Sequence, residues 1–335
     1  MRRVIIGVVL LVLAALALAT YLTLDWYHSG LEPADPAART KLVRIPEGSS
    51  VSQIARILHD EALIRDERAF RLMLRLKGLA GELRAGVYDI SPGMSAEEIA
   101  RHIASGRVAM RRLTIPEGFR LDQIAERVAE AELADAEEFR RAAVGKSVAE
   151  ALSMPVPEGG LEGYLFPETY DFCCDLPPEA IVTRMVREFE ERFYLPHRAE
   201  IEARGLSLHQ IITLASLVER EARVAEERAL IAGVIQNRLD RGMKLQIDAT
   251  VQYALPQHKE RLLFEDLRVD SPYNTYRHNG LPPGPIASPG LPSLLAALRP
   301  AETEALFYVA RSDGTHIFTP SYEQHRRAIE SVRGR

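Results

Sequence analysis

The sequence predicts an α+β protein: a single N-terminal transmembrane helix, a small module of strands and helices, and a larger mixed α/β region. Three observations carry that reading. Residues 4 to 21 hold no charge and follow Met1-Arg2-Arg3. The tetrapeptide Ile-Pro-Glu-Gly occurs at 45–48 and again at 115–118, each time between a strand pattern and a helical one. From residue 206 onward, strong helix signals alternate with polar loops rich in proline and glycine, and a short strand pair follows.

The apolar run spans about 27 Å as a helix, and extension through Leu24 brings it near the roughly 30 Å of a bilayer core. Arginines favour the cytoplasmic side, so residues 1–3 form a cytoplasmic tip, 4–24 an anchor, and everything after Asp25 is exported. A cleaved signal peptide is the rival reading, because Ala17-Leu18-Ala19 satisfies a small-residue cleavage rule. Residues 25–40 read as a linker, since HSGLEPADPAART combines Gly, two prolines and small polar residues.

The 335 residues are 27% charged and 47% hydrophobic, ordinary globular material in an amount that allows two or three domains. Formal net charge is −5, and with the two leader arginines set aside the remainder carries −7. No basic surplus points to nucleic acid. Cys173 and Cys174 are adjacent and the only cysteines, so this is no disulfide scaffold. They read as buried small residues, with an intermolecular or redox role as the alternative. His209, His258, His278, His316 and His325 are scattered without ligand spacing, and neither a metal nor an organic cofactor is implied.

The two tetrapeptide copies lie 70 positions apart, and the offset also matches Val51 with Leu121, Ile54 with Ile124, Ala55 with Ala125 and Leu63 with Leu133. Each copy predicts a strand (Leu42 to Ile45, Arg112 to Ile115), a Pro-Glu-Gly turn and an amphipathic helix. Between them come a helix over Glu67 to Leu79, a strand over Leu83 to Ile90 and a helix over Met94 to Ser105, with Ser95 and Glu98 as a capping box. Residues 41–110 thus form a module whose short antiparallel sheet is covered by helices on one face. Its size suits binding or spacing better than a deep catalytic cleft. Residues 111–335 form the second region, with the repeated unit in 111–205 and a core in 206–335.

Glu158 to Tyr170, EGGLEGYLFPETY, mixes glycines, aromatics and carboxylates, and loops of this kind commonly line binding sites. A purely structural loop is the alternative. Pro178 to Glu191 reads as a helix. Ser207 with Gln210 forms a capping box, with Leu206 and Ile211 at the staple positions, and a helix or helix pair runs to about Arg238 with Gly242 as terminator. Ile211, Ile212, Ala215, Val218 and Ala222 mark its apolar stripe. Helical spacing sets Glu219 on the face of Ile212, Ala215 and Ala222, with Glu221, Glu226 and Glu227 toward the charged side. A carboxylate against an apolar wall holds its proton more tightly, as a general acid near neutral pH requires. A buried salt bridge to Arg220 or Arg238 is the competing account.

Downstream, LQIDATVQYALPQH carries Gln246, Asp248, Thr250 and Tyr253. The segment DSPYNTYRHNGLPPGPIASPG carries Asn274, Tyr276 and a string of prolines and glycines. Hydrogen-bonding side chains beside aromatic rings suit a carbohydrate, and an ordinary proline-stiffened loop has the same composition. Leu306 to Ala310 and His316 to Phe318 read as a strand pair turning at Asp313-Gly314, and Ser321 to Arg333 as a polar helix.

At LEGYLFPETY (161–170), ASLVEREARVAEER (215–228), VIQNRLDRGMKLQIDATVQYAL (234–255) and SPYNTYRHNGLPPGPIASPG (271–290), the chain resembles the MltG (YceG-like) family of endolytic murein transglycosylases. The likeness runs over almost the whole chain. It implies an inner-membrane protein whose residues 41–110 are a LysM-like module and whose catalytic domain faces the periplasm. It implies cleavage of the β-1,4 bond between N-acetylmuramic acid and N-acetylglucosamine within nascent strands, leaving 1,6-anhydro ends. The family's essential glutamate falls on Glu219, in ASLVERE. Expected substrate contacts are Glu162 and Tyr164, Gln246 and Asp248, and Asn274 and Tyr276. The implied partners are peptidoglycan strands and the peptidoglycan synthases that make them.

Overall fold

Helix α1 (Arg2–Leu31) opens the computed structural model, which describes residues 2–144, 148, 152–157, 159–257 and 259–333. Glu158 and His258 lie outside the described residues. From Ile5 to Leu31 the helix is long and apolar enough to cross a membrane, and none of its most apolar stretch is buried in the protein. It does not stop near Leu24, where the hydrophobic run ends, but continues through the start of the expected linker. Packing explains the extra turns. The Trp26 indole Nε1 donates to Asp66 at 3.2 Å, and Tyr27 and Leu31 lie against the core of the following module. Gly30 meets that module so closely that a Cβ there would fall 2.8 Å from Ala69 Cβ.

The chain divides into two compact units, residues 1–111 with 173–175, and residues 112–172 with 176–335. In the first, β1 (Lys41–Ile45) is followed by α2 (Val51–Asp60), α3 (Glu67–Lys77), β2 (Gly86–Ile90) and α4 (Ala96–Ser105). The strands pair antiparallel with Val43 opposite Tyr88. Val43 and Ile45 point into the core while Leu42 and Arg44 face out, the alternation a one-sided sheet requires. Ser50 with Gln53 and Ser95 with Glu98 close capping boxes on α2 and α4, and Asp66 caps α3. Ile54, Leu58, Phe70, Met73, Tyr88 and Ile99 form a fully enclosed core.

β3 (Met110–Thr114) precedes the second unit's α5 (Leu121–Glu130) and α6 (Ala136–Ala142), and pairs with β4 (Thr169–Cys173). Then α7 (Pro178–Phe189) runs through a π-helical turn, Glu190–Tyr194, into α8 (Leu195–Ala203). The helix pair expected from Ser207 is α9 (Leu208–Glu221) and α10 (Arg228–Asp240), with a 3-10 turn at Ala225–Glu227 between them. Ala222 is therefore off the helical stripe, because its extended backbone (ψ 121°) ends α9. After α11 (Asp248–Ala254) comes the irregular proline-rich segment, then α12 (Leu291–Leu298), the antiparallel pair β5 (Phe307–Ala310) and β6 (His316–Thr319), and α13 (Tyr322–Arg333). One continuous core beneath α7, α9, α10 and α12 sets the position of the end of α9.

Candidate functional site

The capping box predicted for α9 is present: Ser207 Oγ accepts from Gln210 N–H at 3.2 Å, and Gln210 Oε1 accepts from Ser207 N–H at 2.9 Å. From Leu208 to Val218 the helix is buried except at His209 and Gln210, so it is locked by its core face. Its last turn reaches the surface with three polar residues in succession, each sent to a different place.

Glu219 is half-buried, and its Oε2 accepts the Gly290 backbone N–H at 3.1 Å. Gly290 is the N-cap residue of α12, where the helix dipole favours negative charge. The Glu-Gly of the second repeated turn lies beside it: a Cβ at Gly290 would fall 1.9 Å from Glu117 Oε1, and one at Gly118 would fall 3.8 Å from Glu219 Cγ. Glu117 is pushed above the usual carboxylate range by burial of its carboxyl end and then by the charge of Glu219, with Arg228 pulling the other way. Among the described residues no cation pairs with Glu219. Arg220 Nη1 donates to Gly118 O at 3.3 Å, and Arg238 is spent on the carbonyls of Leu306 (2.6 Å) and Leu245 (2.5 Å). The salt-bridge account of Glu219 has no counterpart in these contacts.

Arg220 lines two cavities. One, of about 430 Å³, also takes Arg120, Gln252 and Tyr253; the other, of about 560 Å³, takes Gln246, Asp248, Tyr276 and Tyr308. Glu219 lines neither wall itself. Three predicted site residues are thus brought together in the larger cavity, where Tyr276 Oη donates to Asp248 Oδ1 at 2.5 Å. Gln246 reaches its place through a left-handed backbone (φ 54°), with its N–H donating to Thr275 O at 3.2 Å. Glu221 does not join the charged outer side, because α9 ends at that residue and turns its carboxyl end inward. Tyr308 Oη donates to Glu221 Oε2 at 2.8 Å, and burial pushes this carboxyl up, aided by Asp248 and opposed by Tyr308, His316 and Arg220. Glu227 is likewise enclosed, accepting from the His316 backbone N–H at 2.9 Å and lying 2.7 Å from its Nδ1.

The other three predicted contacts line neither of these two cavities. Tyr164 is 1% exposed, and its hydroxyl lies 2.9 Å from His209 Nδ1. His209 Nε2 is 2.9 Å from Pro283 O, which can only accept, so Nε2 carries the ring proton and Nδ1 accepts from the tyrosine. Tyr164 therefore anchors the proline segment from inside the core. Asn274 is 0% exposed; its Nδ2 donates to Leu267 O and Val269 O, and its Oδ1 accepts from Tyr276 N–H, so it shapes the loop that presents Tyr276. Glu162 accepts the Leu121 N–H at 3.0 and 3.2 Å on its two oxygens and caps α5. Burial pushes it up to about 7, against the opposing pull of that N–H and of Arg120. Composition marked these residues as polar and aromatic; it carries no signal of which side of the loop they face. Glu117 was marked only by the repeat, and Arg120, Glu221 and Tyr308 by nothing local.

Fold and site first define a class: a mixed α+β protein with one apolar N-terminal helix, in which a helix-end carboxylate lies beside a proline-rich segment and the next residue lines two cavities. More particularly, the chain belongs to the YceG-like family, whose model matches residues 43–331. It is 36% identical over 315 residues to the endolytic murein transglycosylase of Bacillus subtilis (strain 168), covering 90% of this chain and 87% of the relative. To the endolytic murein transglycosylase of Streptococcus pneumoniae serotype 2 (strain D39) it is 32% identical over 96% of its own length, though it spans only 63% of that protein. A crystal structure of a YceG-like protein from Listeria monocytogenes matches with a TM-score of 0.60 at 36% identity, covering 87% of this chain and 99% of the other.

Proposed function

We propose that the protein is an endolytic murein transglycosylase anchored by α1, with its second unit on the extracytoplasmic side, and that Glu219 performs both proton transfers. The observation that carries this is the carboxylate of Glu219 at the exposed end of a core-locked helix, held by the Gly290 N–H and, among the described residues, paired with no cation. The relatives named for this activity support it. Protonated Glu219 gives its proton to the glycosidic oxygen as the bond from C1 of N-acetylmuramic acid breaks. The sugar's own C6 hydroxyl then bonds to C1, and its proton returns to the Glu219 carboxylate. Water takes no part, so the second carboxylate of an ordinary glycosidase is unnecessary. Gln246, Asp248 and Tyr276 supply hydrogen bonds to the glycan in the larger cavity. The β1-α2-α3-β2 unit supports a LysM-like role in holding strands, and peptidoglycan synthases are the expected partners.

Glu219→Gln keeps the shape and removes the exchangeable proton. Uncrosslinked peptidoglycan digested with wild type should give anhydro ends by mass spectrometry, and the variant should give none. Equal anhydro product from both sinks the assignment. Ends heavier by one water, two hydrogens and one oxygen, identify a hydrolase instead.

A further inference from the structure

We propose that Glu117, the acidic residue of the second Ile-Pro-Glu-Gly turn, is a positioning residue for Glu219: its carboxyl end fills the space over Gly290, the residue whose backbone N–H holds the Glu219 carboxylate. This rests on the reading that Glu219 carries the proton transfers.

Gly290 has φ −72°, a conformation open to any residue, so its backbone does not require glycine. The space for a side chain is taken by Glu117, whose Oε1, Cδ and Cγ would lie 1.9, 2.2 and 2.9 Å from a Cβ. The same Gly290 gives its N–H to Glu219. The turn that carries Glu117 is itself pinned: Gly118 N–H donates to Ser288 O at 2.8 Å, Ser288 N–H donates to Phe119 O at 2.7 Å, and Arg220 holds Gly118 O. None of this is a property of the tetrapeptide. In the first copy a Cβ at Gly48 would meet nothing within 4 Å, whereas one at Gly118 meets Arg220 and Glu219.

The charged groups acting on Glu117 are Glu219 from α9 and Arg228 from the start of α10, while Arg220 of α9 holds the neighbouring Gly118. The carboxyl end of Glu117, raised above its ordinary range by burial and then by the charge of Glu219, stands beside the N–H that Glu219 accepts and limits where the Glu219 oxygens can swing. Glu117 gains and loses no proton overall, because the proton given to the glycosidic oxygen is restored from the C6 hydroxyl.

Two variants of the full-length chain in detergent separate this from a structural role. Glu117→Gln removes the carboxylate and keeps its shape. Gly290→Ala keeps both carboxylates and drives the flexible end of Glu117 away. With glutamate δ-carbons labelled, the carboxyl resonance lost in Glu117→Gln should titrate at lower pH in Glu219→Gln than in wild type; if it does not move, the proposal is overturned, whatever the enzyme does. In anhydro-end assays, both variants should lose roughly tenfold or more in kcat with KM little changed. A loss that falls on KM while kcat is kept overturns the proposal. If wild type forms no anhydro ends, the transglycosylase reading fails alone, and the carboxyl titration still decides this one.

Discussion

Replacing Glu162 by Gln should make the protein more stable relative to wild type as the pH rises, and the size of the effect follows from the cap it forms. In the first repeat Ser50 caps α2 through its own hydroxyl; seventy positions on, Arg120 stands at the N-cap of α5, and its side chain makes no cap bond. Glu162 supplies the missing acceptor to Leu121 N–H. Burial lifts its titration from 4.5 to about 7. Below pH 4.5 the group is protonated in both the folded and unfolded states, so the stability it contributes is fully present. As pH rises through 7 the folded state must also ionise, and the difference of about 2.5 units corresponds to roughly 3 kcal/mol lost.

A glutamine accepts the same N–H and never ionises. The difference in melting temperature, variant minus wild type, should therefore grow between pH 5 and pH 8, by at most roughly 6 to 12 °C for a unit of this size. Circular dichroism melts of both proteins in matched buffers measure it, and groups unaffected by the substitution cancel in the difference. A difference that is constant across the range refutes the reasoning. The same variant should still form anhydro ends at neutral pH; loss of product would show that Glu162 touches the glycan rather than α5.

The remaining predictions concern its neighbours and the larger cavity. Gly163→Ala should lower stability by about 2 kcal/mol or more, because φ is +80° and the new Cβ would fall 2.4 Å from Pro285 Cβ; an unchanged melting temperature refutes this. Tyr164→Phe should cost about 1 to 3 kcal/mol by stranding His209 Nδ1, while activity per folded molecule stays near wild type, as melts and product assays on the same samples would show. Tyr276→Phe removes the bond to Asp248 and should raise KM for glycan by about tenfold with little loss of stability; unchanged kinetics would remove the larger cavity from the glycan path.

Much of the fold was legible because the signals are local. The capping boxes at Ser50, Ser95 and Ser207 and the turn at Asp313-Gly314 each depend on residues a few positions apart. What was not legible depends on distant partners. The last turns of α1 exist because Trp26 and Gly30 find Asp66 and Ala69, some 40 positions away. Tyr164 and Asn274 carry the polar groups of a ligand site, yet they spend them on His209 and on the carbonyls of 267 and 269. Glu221 was placed outward by helical spacing alone, whereas its carboxylate is drawn to Tyr308, 87 positions away. The face of Glu219 was legible because Ile212 and Ala215, which share it, lie inside the same helix; the role expected of it came from the family resemblance.

The repeat shows how one local design acquires two uses. Both copies make strand, turn and helix, since those follow from the same few residues. The first copy caps its helix with Ser50 and leaves Glu47 in water, so the unit is complete in itself. In the second, Arg120 stacks its guanidinium 4.4 Å above the Tyr253 ring and lines the smaller cavity, and α5 must borrow Glu162 as its cap. Glu117 meanwhile is set over Gly290 beside Glu219. The helix start and the turn before it thus both depend on the loops that frame the end of α9. A substitution that loosens either loop should reach Glu219 through this turn, whereas the same change in the first copy has no such route.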